Sequence, residues 1–188
     1  MRETDERATG EILLLTGPPG AGKTTVARLL AGEVLEAPCV HLHADDFWAC
    51  IVRGALLPFL PEAQPQNETV IAVLAHAAAG YAAGGYRVVV DGVVGPWFLG
   101  PFRTAADESG VPLHYAVLRP DEPTTLTRGT TRPGHPLTDP GPISLMHAQF
   151  TDLGPYEPHA LDTSAQSPRA TATTVRTALT AGRLRLPA

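Results

Sequence analysis

The stretch Gly17-Pro18-Pro19-Gly20-Ala21-Gly22-Lys23-Thr24 decides the fold of this 188-residue chain. It matches the pattern G-x-x-x-x-G-K-[ST] and follows a wholly apolar run at residues 12–15. Residues 25–35 come next and carry apolar side chains at helical spacing. A buried strand, a glycine-rich turn and a helix form the context in which this pattern binds phosphate. The sequence therefore predicts a phosphate-binding loop.

The chemistry of this loop predicts an ATP site with Mg²⁺. Glycines let successive backbone N–H groups face phosphate oxygens, and the following helix adds the positive end of its dipole. Lys23 is the only lysine among 14 cationic residues, and we expect it to reach the β and γ phosphates. Thr24 is predicted to bind Mg²⁺ and Thr25 to lie near the α phosphate. The nucleotide-binding residues predicted here are Gly17, Pro18, Pro19, Gly20, Ala21, Gly22, Lys23, Thr24 and Thr25.

Strand and helix patterns alternate along the rest of the chain. Apolar runs predict four more strands, at residues 40–44, 87–91, 113–118 and 160–163. Helices are expected at 68–81, 98–109, 122–131, 143–153 and 170–181, with an irregular, proline-containing connection at 57–66. This order predicts a three-layer α/β domain with a parallel five-stranded sheet, spanning residues 11–182. We expect a disordered N-terminus at 1–10 and a C-terminal tail at 183–188.

Acidic residues follow two of the predicted strands. Asp91 ends the run Val88-Val89-Val90, so it is a candidate Mg²⁺ ligand beside the bound substrate, with a turn or helix cap as the alternative. Asp45 and Asp46 follow the second strand and are predicted to line the acceptor side. We expect Asp45 to be the general base and Asp46 to be the second choice. For Asp46, capping of a helix that starts at Phe47 is an open alternative.

Arginines follow the fourth strand. Arg128 and Arg132 are four residues apart, which places both on one helix face, where an anion between them would relieve their repulsion. Both are predicted to stabilise the transferred phosphoryl group, and Arg128 is also predicted to bind nucleotide; solvated surface arginines are the alternative, more so for Arg119. Residues 133–142 are rich in proline and glycine and predict a mobile flap, which with Arg128 and Arg132 would form a lid over about 128–142.

The candidate acceptor pocket has aromatic residues nearby. Trp48 follows the acid pair and Trp97 follows the third strand, so both are candidate substrate contacts, with a place in the core as the alternative. His41 and His43 alternate along the second strand and face one way. Because no third ligand is apparent, we expect them to pack and not to bind zinc.

Composition argues against several partners. The formal net charge is -5 and no dense run of lysine and arginine occurs, so neither nucleic acid nor an anionic membrane surface is an expected partner. No apolar run reaches the roughly 18 residues that a membrane span needs. Cys39 and Cys50 lack framework spacing and are expected to be reduced, which suits the cytoplasm. Whether the protein is a monomer or a homodimer stays open.

These motifs together resemble the P-loop small-molecule kinases, which include chloramphenicol phosphotransferase, gluconate kinase and shikimate kinase, and more distantly zeta toxins and tunicamycin-resistance protein. The resemblance covers residues 12–179, and its specific parts are the phosphate loop, Ala44-Asp45-Asp46-Phe47, Val90-Asp91-Gly92 and Arg128-Gly129-Thr130-Thr131-Arg132. It implies a fold of the nucleoside-monophosphate-kinase type with a short lid, Asp45 as base, and an adenine-side loop at 163–168. Gluconate kinases carry a further acid where this chain has His43, so the acceptor stays open.

The leading hypothesis is an ATP-dependent kinase that phosphorylates a hydroxyl group of a small molecule, either an antibiotic or a metabolite. A second hypothesis is an NTP-hydrolysing switch, and a third is a nucleotide-binding module without chemistry. A nucleotide or coenzyme-precursor kinase is a further alternative. A guanine-specific Asn-Lys-x-Asp motif is impossible, because the chain's only asparagine, Asn67, lies far after its only lysine. Large AAA-type ATPases need a second helical domain, for which this length is tight.

Overall fold

The protein has a five-stranded, all-parallel sheet with helices on both faces, as the sequence predicts. The computed structural model describes residues 10–35, 37–131 and 137–187. The predicted disordered N-terminus at residues 1–10 lies outside these ranges except for Gly10, where the prediction was wrong, because Gly10 is buried and its N–H group donates to the Ala82 carbonyl at 3.0 Å. The strands follow the spatial order β2-β3-β1-β4-β5, and their bounds are Glu11–Thr16 (β1), Cys39–His43 (β2), Arg87–Asp91 (β3), Leu113–Leu118 (β4) and Ala160–Leu161 (β5).

Seven α-helices lie between and after these strands in the described part of the chain. Their bounds are Lys23–Leu29 (α1), Ala44–Ala49 (α2), Gln64–Ala83 (α3), Leu99–Ser109 (α4), Glu122–Thr130 (α5), Pro140–Ala148 (α6) and Pro168–Thr180 (α7). A π-helical turn, Leu30–Val34, continues α1, and 3-10 turns occur at Pro61–Ala63, Pro96–Phe98 and Gly154–His159. None of the described helices, including the 20-residue α3, combines the length and the apolar character needed to cross a membrane.

The central strand β1 is buried on both faces, which explains its unbroken apolar sequence. Ile12 and Leu14 pack with residues of α3 and α4. Leu13 and Leu15 face the other way and pack with residues of α1 and α7. Successive side chains of a strand point to opposite faces of the sheet. Strand β1 therefore packs against both helical layers.

The strand register brings the predicted site residues to one edge of the sheet. Asp91 pairs in register with Leu15 of β1 on one side and with His43 of β2 on the other. The phosphate loop and α2 begin directly after these strands. Carboxyl ends of parallel strands are where ligands bind in such sheets, so the order of the strands assembles the site.

Two glycines let the phosphate loop lie close to its neighbours. A Cβ atom on Gly17 would lie 2.1 Å from the carbonyl oxygen of Leu118, at the end of β4. A Cβ atom on Gly20 would lie 2.4 Å from the carbonyl oxygen of Thr125 in α5. Both glycines also have positive φ angles, a region that side chains disfavour. Only glycine fits these positions, and the loop therefore packs directly against β4 and α5.

The segment after α7 is part of the packed fold, although the sequence predicts a tail at 183–188. Leu184 and Leu186 are buried. The N–H group of Tyr115 donates to the carbonyl of Leu184 at 2.8 Å, and that of Leu186 donates to Leu113 at 2.9 Å. This segment therefore covers β4 along the N-terminal half of the strand. Sequence patterns missed it because its apolar residues alternate over too short a run.

The loop after β3 is fixed through Val94, whose backbone is hydrogen-bonded at both of its polar groups. The N–H group of Val94 donates to the Thr16 hydroxyl at 2.8 Å. Its carbonyl accepts from the hydroxyl of Tyr115 at 2.9 Å. Tyr115 is fully buried, and burial raises the pKa of its hydroxyl, which keeps the proton needed for donation. These bonds hold the loop beside the phosphate loop.

We predict that Tyr115→Phe lowers the free energy of unfolding by about 1–2 kcal/mol, because it leaves the buried Val94 carbonyl unpaired. Chemical denaturation measures this change. Tyr81→Phe is the matched control, since Tyr81 is exposed, and its effect should be within about 0.5 kcal/mol. Equal effects of the two substitutions would contradict the role given to the Tyr115 hydroxyl.

Candidate active site

The phosphate loop and β3 are joined by a hydrogen bond between two predicted metal-site residues. The hydroxyl of Thr24, in the first turn of α1, donates to Asp91 Oδ2 at 2.7 Å. Asp91 ends β3 and is 0% exposed. A hydroxyl that donates its proton to a carboxylate keeps its lone pairs for a cation. The structure thus brings Thr24 and Asp91 together, as the sequence analysis expected of a magnesium site.

Two histidines of β2 hold the other side of the Asp91 carboxylate. His41 Nε2 lies 2.5 Å from Oδ1, and His43 Nδ1 lies 3.1 Å from both carboxylate oxygens. Because an ionised carboxylate only accepts hydrogen bonds, both ring nitrogens act as donors. The expected packing role of the histidines is therefore incomplete: they also orient Asp91. The alternation of His41 and His43 along β2 indicated that both side chains face the same way. The sequence did not show that Asp91 lies beside them on the neighbouring strand β3.

This network keeps Asp91 charged inside the protein. Burial by itself raises the pKa of Asp91, but hydrogen bonds from His41, His43 and Thr24 outweigh burial and hold that pKa well below its usual range. The hydrogen bond to Asp91 raises the pKa of His43, against the opposing effect of its own partial burial. Buried Asp91 is therefore ionised beside the partly exposed imidazole of His43, which is more readily protonated than an ordinary histidine.

Metal binding by protein side chains alone is not supported here. Within the described ranges, no group of three or more histidine, cysteine, aspartate or glutamate side chains is arranged to hold a metal ion. The Thr24 hydroxyl and one Asp91 carboxylate are hard oxygen donors, which suit Mg²⁺ bound mainly by phosphates and water. The residues present therefore fit Mg²⁺ carried with a nucleotide, and they do not fit a zinc site.

Lys23 lies over the phosphate loop. Its ammonium group donates to the carbonyl oxygens of Gly17 and Pro18, both at 2.9 Å. The N-cap position of α1 is Gly22, with a positive φ, so the helix begins at Lys23 itself. The ammonium group and the helix N-terminus therefore bring positive charge to the same short turn.

The two acids after β2 occupy the first turn of α2, on the exposed side of the site. Helix α2 begins at Ala44, and its N-cap is His43. Asp46 therefore does not cap a helix starting at Phe47, and that alternative was wrong. Asp45 is largely exposed, and its Oδ2 lies 3.5 Å from His43 Nε2. His43 thus connects the exposed acid with buried Asp91.

The arginines after β4 separate into different roles. Arg128, in the last turn of α5, donates to the Ser164 carbonyl at 3.2 Å, so it lies against the segment 163–168 that resemblance places near adenine. Arg119 forms a bidentate pair with Glu157, both bonds being 2.9 Å long, and is structural. Arg132 lies outside the described residues, as does the part of the predicted lid from 132 to 136.

The two tryptophans follow strands that end at the site, Trp48 after β2 and Trp97 after β3. Trp48 is on α2, and its ring nitrogen donates to the side chain of Asn67 in α3 at 2.9 Å. Trp97 lies in the 3-10 turn after β3, is 47% exposed, and contacts Phe150 edge-on at 5.6 Å between ring centroids. Phe47 and Trp48 also pack on the core cluster of α3. Each tryptophan thus packs partly on other side chains and is partly exposed to solvent.

The raised pKa of His43 predicts pH-dependent stability. The contribution of His43 to the free energy of unfolding should be complete below about pH 6.5, the ordinary pKa of histidine. It should be lost as the pH rises through the higher pKa that His43 has in the folded state. The difference in unfolding free energy between wild type and His43→Asn should therefore shrink from about pH 5.5 to 9. Urea denaturation over this range measures that difference.

The control for this prediction is the same substitution in an Asp91→Asn background. Since Asp91 is the main cause of the raised His43 pKa, removal of its charge should abolish most of the pH dependence. Differences that run parallel in the two backgrounds at all pH values would contradict the proposed coupling.

Solved structures share this architecture. APS kinase CysC of Mycobacterium tuberculosis, in complex with AMPPNP and APS, has a TM-score of 0.67 and 17% identity, over 92% of this chain and 98% of that one. Tunicamycin resistance protein of Deinococcus radiodurans has a TM-score of 0.62 and 20% identity, over 95% and 99%. A gluconokinase of Sinorhizobium meliloti 1021 has a TM-score of 0.60 and 21% identity, over 94% and 97%.

Sequence comparison gives one family. No curated protein sequence is similar enough to this chain to count as a relative. The family model AAA_33, described as an AAA domain, matches residues 12–151, which include the phosphate loop, both acid positions and α5. The structural matches to kinases confirm the predicted P-loop kinase fold. The chain therefore belongs to the AAA_33 family of P-loop proteins.

Proposed function

We propose that this protein is a kinase that transfers the γ-phosphoryl group of ATP to a hydroxyl group of a small molecule. The observation that carries the proposal is the 2.7 Å hydrogen bond between Thr24 of the phosphate loop and buried Asp91 on the neighbouring strand. It pre-arranges oxygen atoms for Mg²⁺ at the edge of the loop. A fold shared with kinases is consistent with this function.

Thr24 and Asp91 would hold Mg²⁺ in different ways. Both Asp91 oxygens already accept hydrogen bonds from Thr24, His41 and His43. We therefore infer that Thr24 is the direct ligand, while Asp91 orients the Thr24 hydroxyl and a metal-bound water. When bound, Mg²⁺ would neutralise charge on the β and γ phosphates.

On the acceptor side, Asp45 is the proposed general base. In the transfer, the acceptor oxygen forms a bond to the γ phosphorus as the bond to the bridging β–γ oxygen breaks and ADP leaves. The acceptor proton passes to Asp45, whose exposed carboxylate lies next to His43. Proton removal by a positioned carboxylate contributes roughly 10²–10⁴-fold.

The cations complete the proposed site. Lys23 would exchange its contacts with the Gly17 and Pro18 carbonyls for the β and γ phosphates. Arg128, held at Ser164, would bind the nucleotide, and Arg132 would approach the transferred group as the predicted lid closes. Closure would exclude water and favour transfer over hydrolysis.

A regulatory ATPase is the second candidate, and the AAA description of the family is the observation in its favour. Such a protein would hydrolyse ATP and pass a change of shape to a partner. Formation of ADP without a phosphorylated acceptor distinguishes this candidate from a kinase.

We predict that purified protein with Mg²⁺ and ATP adds one phosphate to a compound within a panel of hydroxylated antibiotics, nucleosides and sugars. Mass spectrometry detects the adduct. Asp45→Asn should keep ATP binding and lower transfer by about 10²–10⁴-fold, because the base is removed. Lys23→Ala should abolish transfer and serves as the blank.

Asp46→Asn is the matched control, since it removes a neighbouring carboxylate of the same exposed turn. Its loss of transfer should be far smaller than that of Asp45→Asn. If Asp46→Asn is the defective variant, the base has been assigned to the wrong acid. ADP release without any adduct across the panel would support the ATPase instead.

A further inference from the structure

The side of the site that faces the acceptor is poor in cations. We define the acceptor side as residues 44–63, from α2 to the turn before α3, together with residues 92–98 after β3. Arg53 is the only lysine or arginine in these two segments. The same segments carry the carboxylates of Asp45, Asp46 and Glu62. The acceptor side is therefore net negative before any substrate binds.

Two described arginines that follow β4 already contact other groups. Arg119 is paired with Glu157, and Arg128 lies against the carbonyl of Ser164. Residues 133–168 contain no lysine or arginine. Recognition of a carboxylate, sulfate or phosphate group needs a cationic fork or a set of N–H donors. The candidate partners of an anionic acceptor are thus Arg53 and the lid residue Arg132. Of these two, Arg132 is already proposed to bind the transferred phosphoryl group.

Apolar side chains are exposed on the same side. Trp97 presents nearly half of its surface to solvent and is braced by Phe150. The ring nitrogen of Trp48 donates to Asn67, and Asn67 donates in turn to the Pro58 carbonyl at 2.8 Å. This chain of bonds ties α2 to the connection before α3, where several large apolar residues are exposed, namely Val52, Leu56, Leu57, Phe59 and Leu60.

We propose that the acceptor is an alcohol that carries no anionic group and has an apolar ring or chain that packs against Trp97. This inference rests on the proposed kinase function. An apolar body would bury the exposed aromatic surface. The acidic environment would disfavour a carboxylate or phosphate, which would have to lose its water near Asp45, Asp46 and Glu62 with Arg53 as the only lysine or arginine of these segments. We therefore do not expect sugar acids or nucleoside phosphates to be acceptors.

The test uses the protein's own fluorescence, because Trp48 and Trp97 are its only tryptophans and both lie on the acceptor side. Wild-type protein without ATP is titrated with two matched pairs of alcohols. The aryl pair is 4-(hydroxymethyl)benzamide and 4-(hydroxymethyl)benzoate, and the polar pair is gluconamide and gluconate. We expect the aryl amide to bind, and each carboxylate to bind at least about 100-fold more weakly than the aryl amide.

Substitutions of two equally exposed aromatic residues test where the aryl amide binds. Measured by calorimetry, because these variants lack the fluorescent Trp97 side chain, Trp97→Ala should weaken binding of the aryl amide by about 10-fold, whereas Trp97→Phe should retain most of the affinity. Tyr81→Ala is the control, since Tyr81 is also 47% exposed but lies at the C-terminal end of α3, before β3 begins. It should leave binding unchanged.

Three results would overturn the inference. One is 4-(hydroxymethyl)benzoate that binds as tightly as 4-(hydroxymethyl)benzamide, or gluconate that binds more tightly than the aryl amide. Another is no response to the aryl amide up to about 10 mM, where a complex of 1 mM dissociation constant would be nearly saturated. The third is fluorescence that changes only with protein concentration, which would assign the apolar surface to a second copy of the chain. Calorimetry with Mg-ATP distinguishes a failure of this inference from a failure of the proposed kinase function. If the protein still binds Mg-ATP, the proposed kinase function is unaffected.

Discussion

A carboxylate with no solvent exposure must find all its partners inside the protein, because an unpaired buried charge is costly. Asp91 is in that position, and its three partners come from two separate parts of the chain: Thr24 from the phosphate loop, and His41 and His43 from β2. The charge therefore ties the nucleotide side of the site to the acceptor side. Strand order β2-β3-β1 makes this possible by placing Asp91 between the other two elements.

The two sides of the site are built differently. On the nucleotide side, backbone geometry dominates: Gly17 and Gly20 approach β4 and α5 more closely than any side chain allows. On the acceptor side, positioning comes from side chains, with Val94 fixed by Thr16 and Tyr115 and with Trp48 fixed by Asn67. Binding of the same triphosphate group needs a fixed backbone, whereas the side-chain contacts can differ between proteins that share the fold and act on different acceptors.

Much of the fold was predictable because its signals are local. The unbroken apolar run at 12–15, the glycine and lysine spacing of the loop, and the acid after Val88-Val89-Val90 each reflect one requirement within a few residues. They predicted a parallel sheet and a Thr24–Asp91 site. The contacts of His41 and His43 with Asp91 join residues about 50 positions apart. The backbone hydrogen bonds between β4 and Leu184 and Leu186 join residues that are still farther apart in the sequence. Such pairings depend on strand register, which periodicity does not specify. The start of α2 at Ala44 was missed because Asp46 has the residue type of a cap.

The central claim is that Asp91 prepares the phosphate loop for a nucleotide that carries Mg²⁺. Calorimetric titration of ATP into wild type and Asp91→Asn, each with and without Mg²⁺, tests it most directly. The wild type should bind ATP at least about 10-fold more tightly when Mg²⁺ is present, and Asp91→Asn should lose most of that gain while still binding the metal-free nucleotide. An equal gain from Mg²⁺ in both proteins, or no binding of ATP by the wild type, would contradict the account.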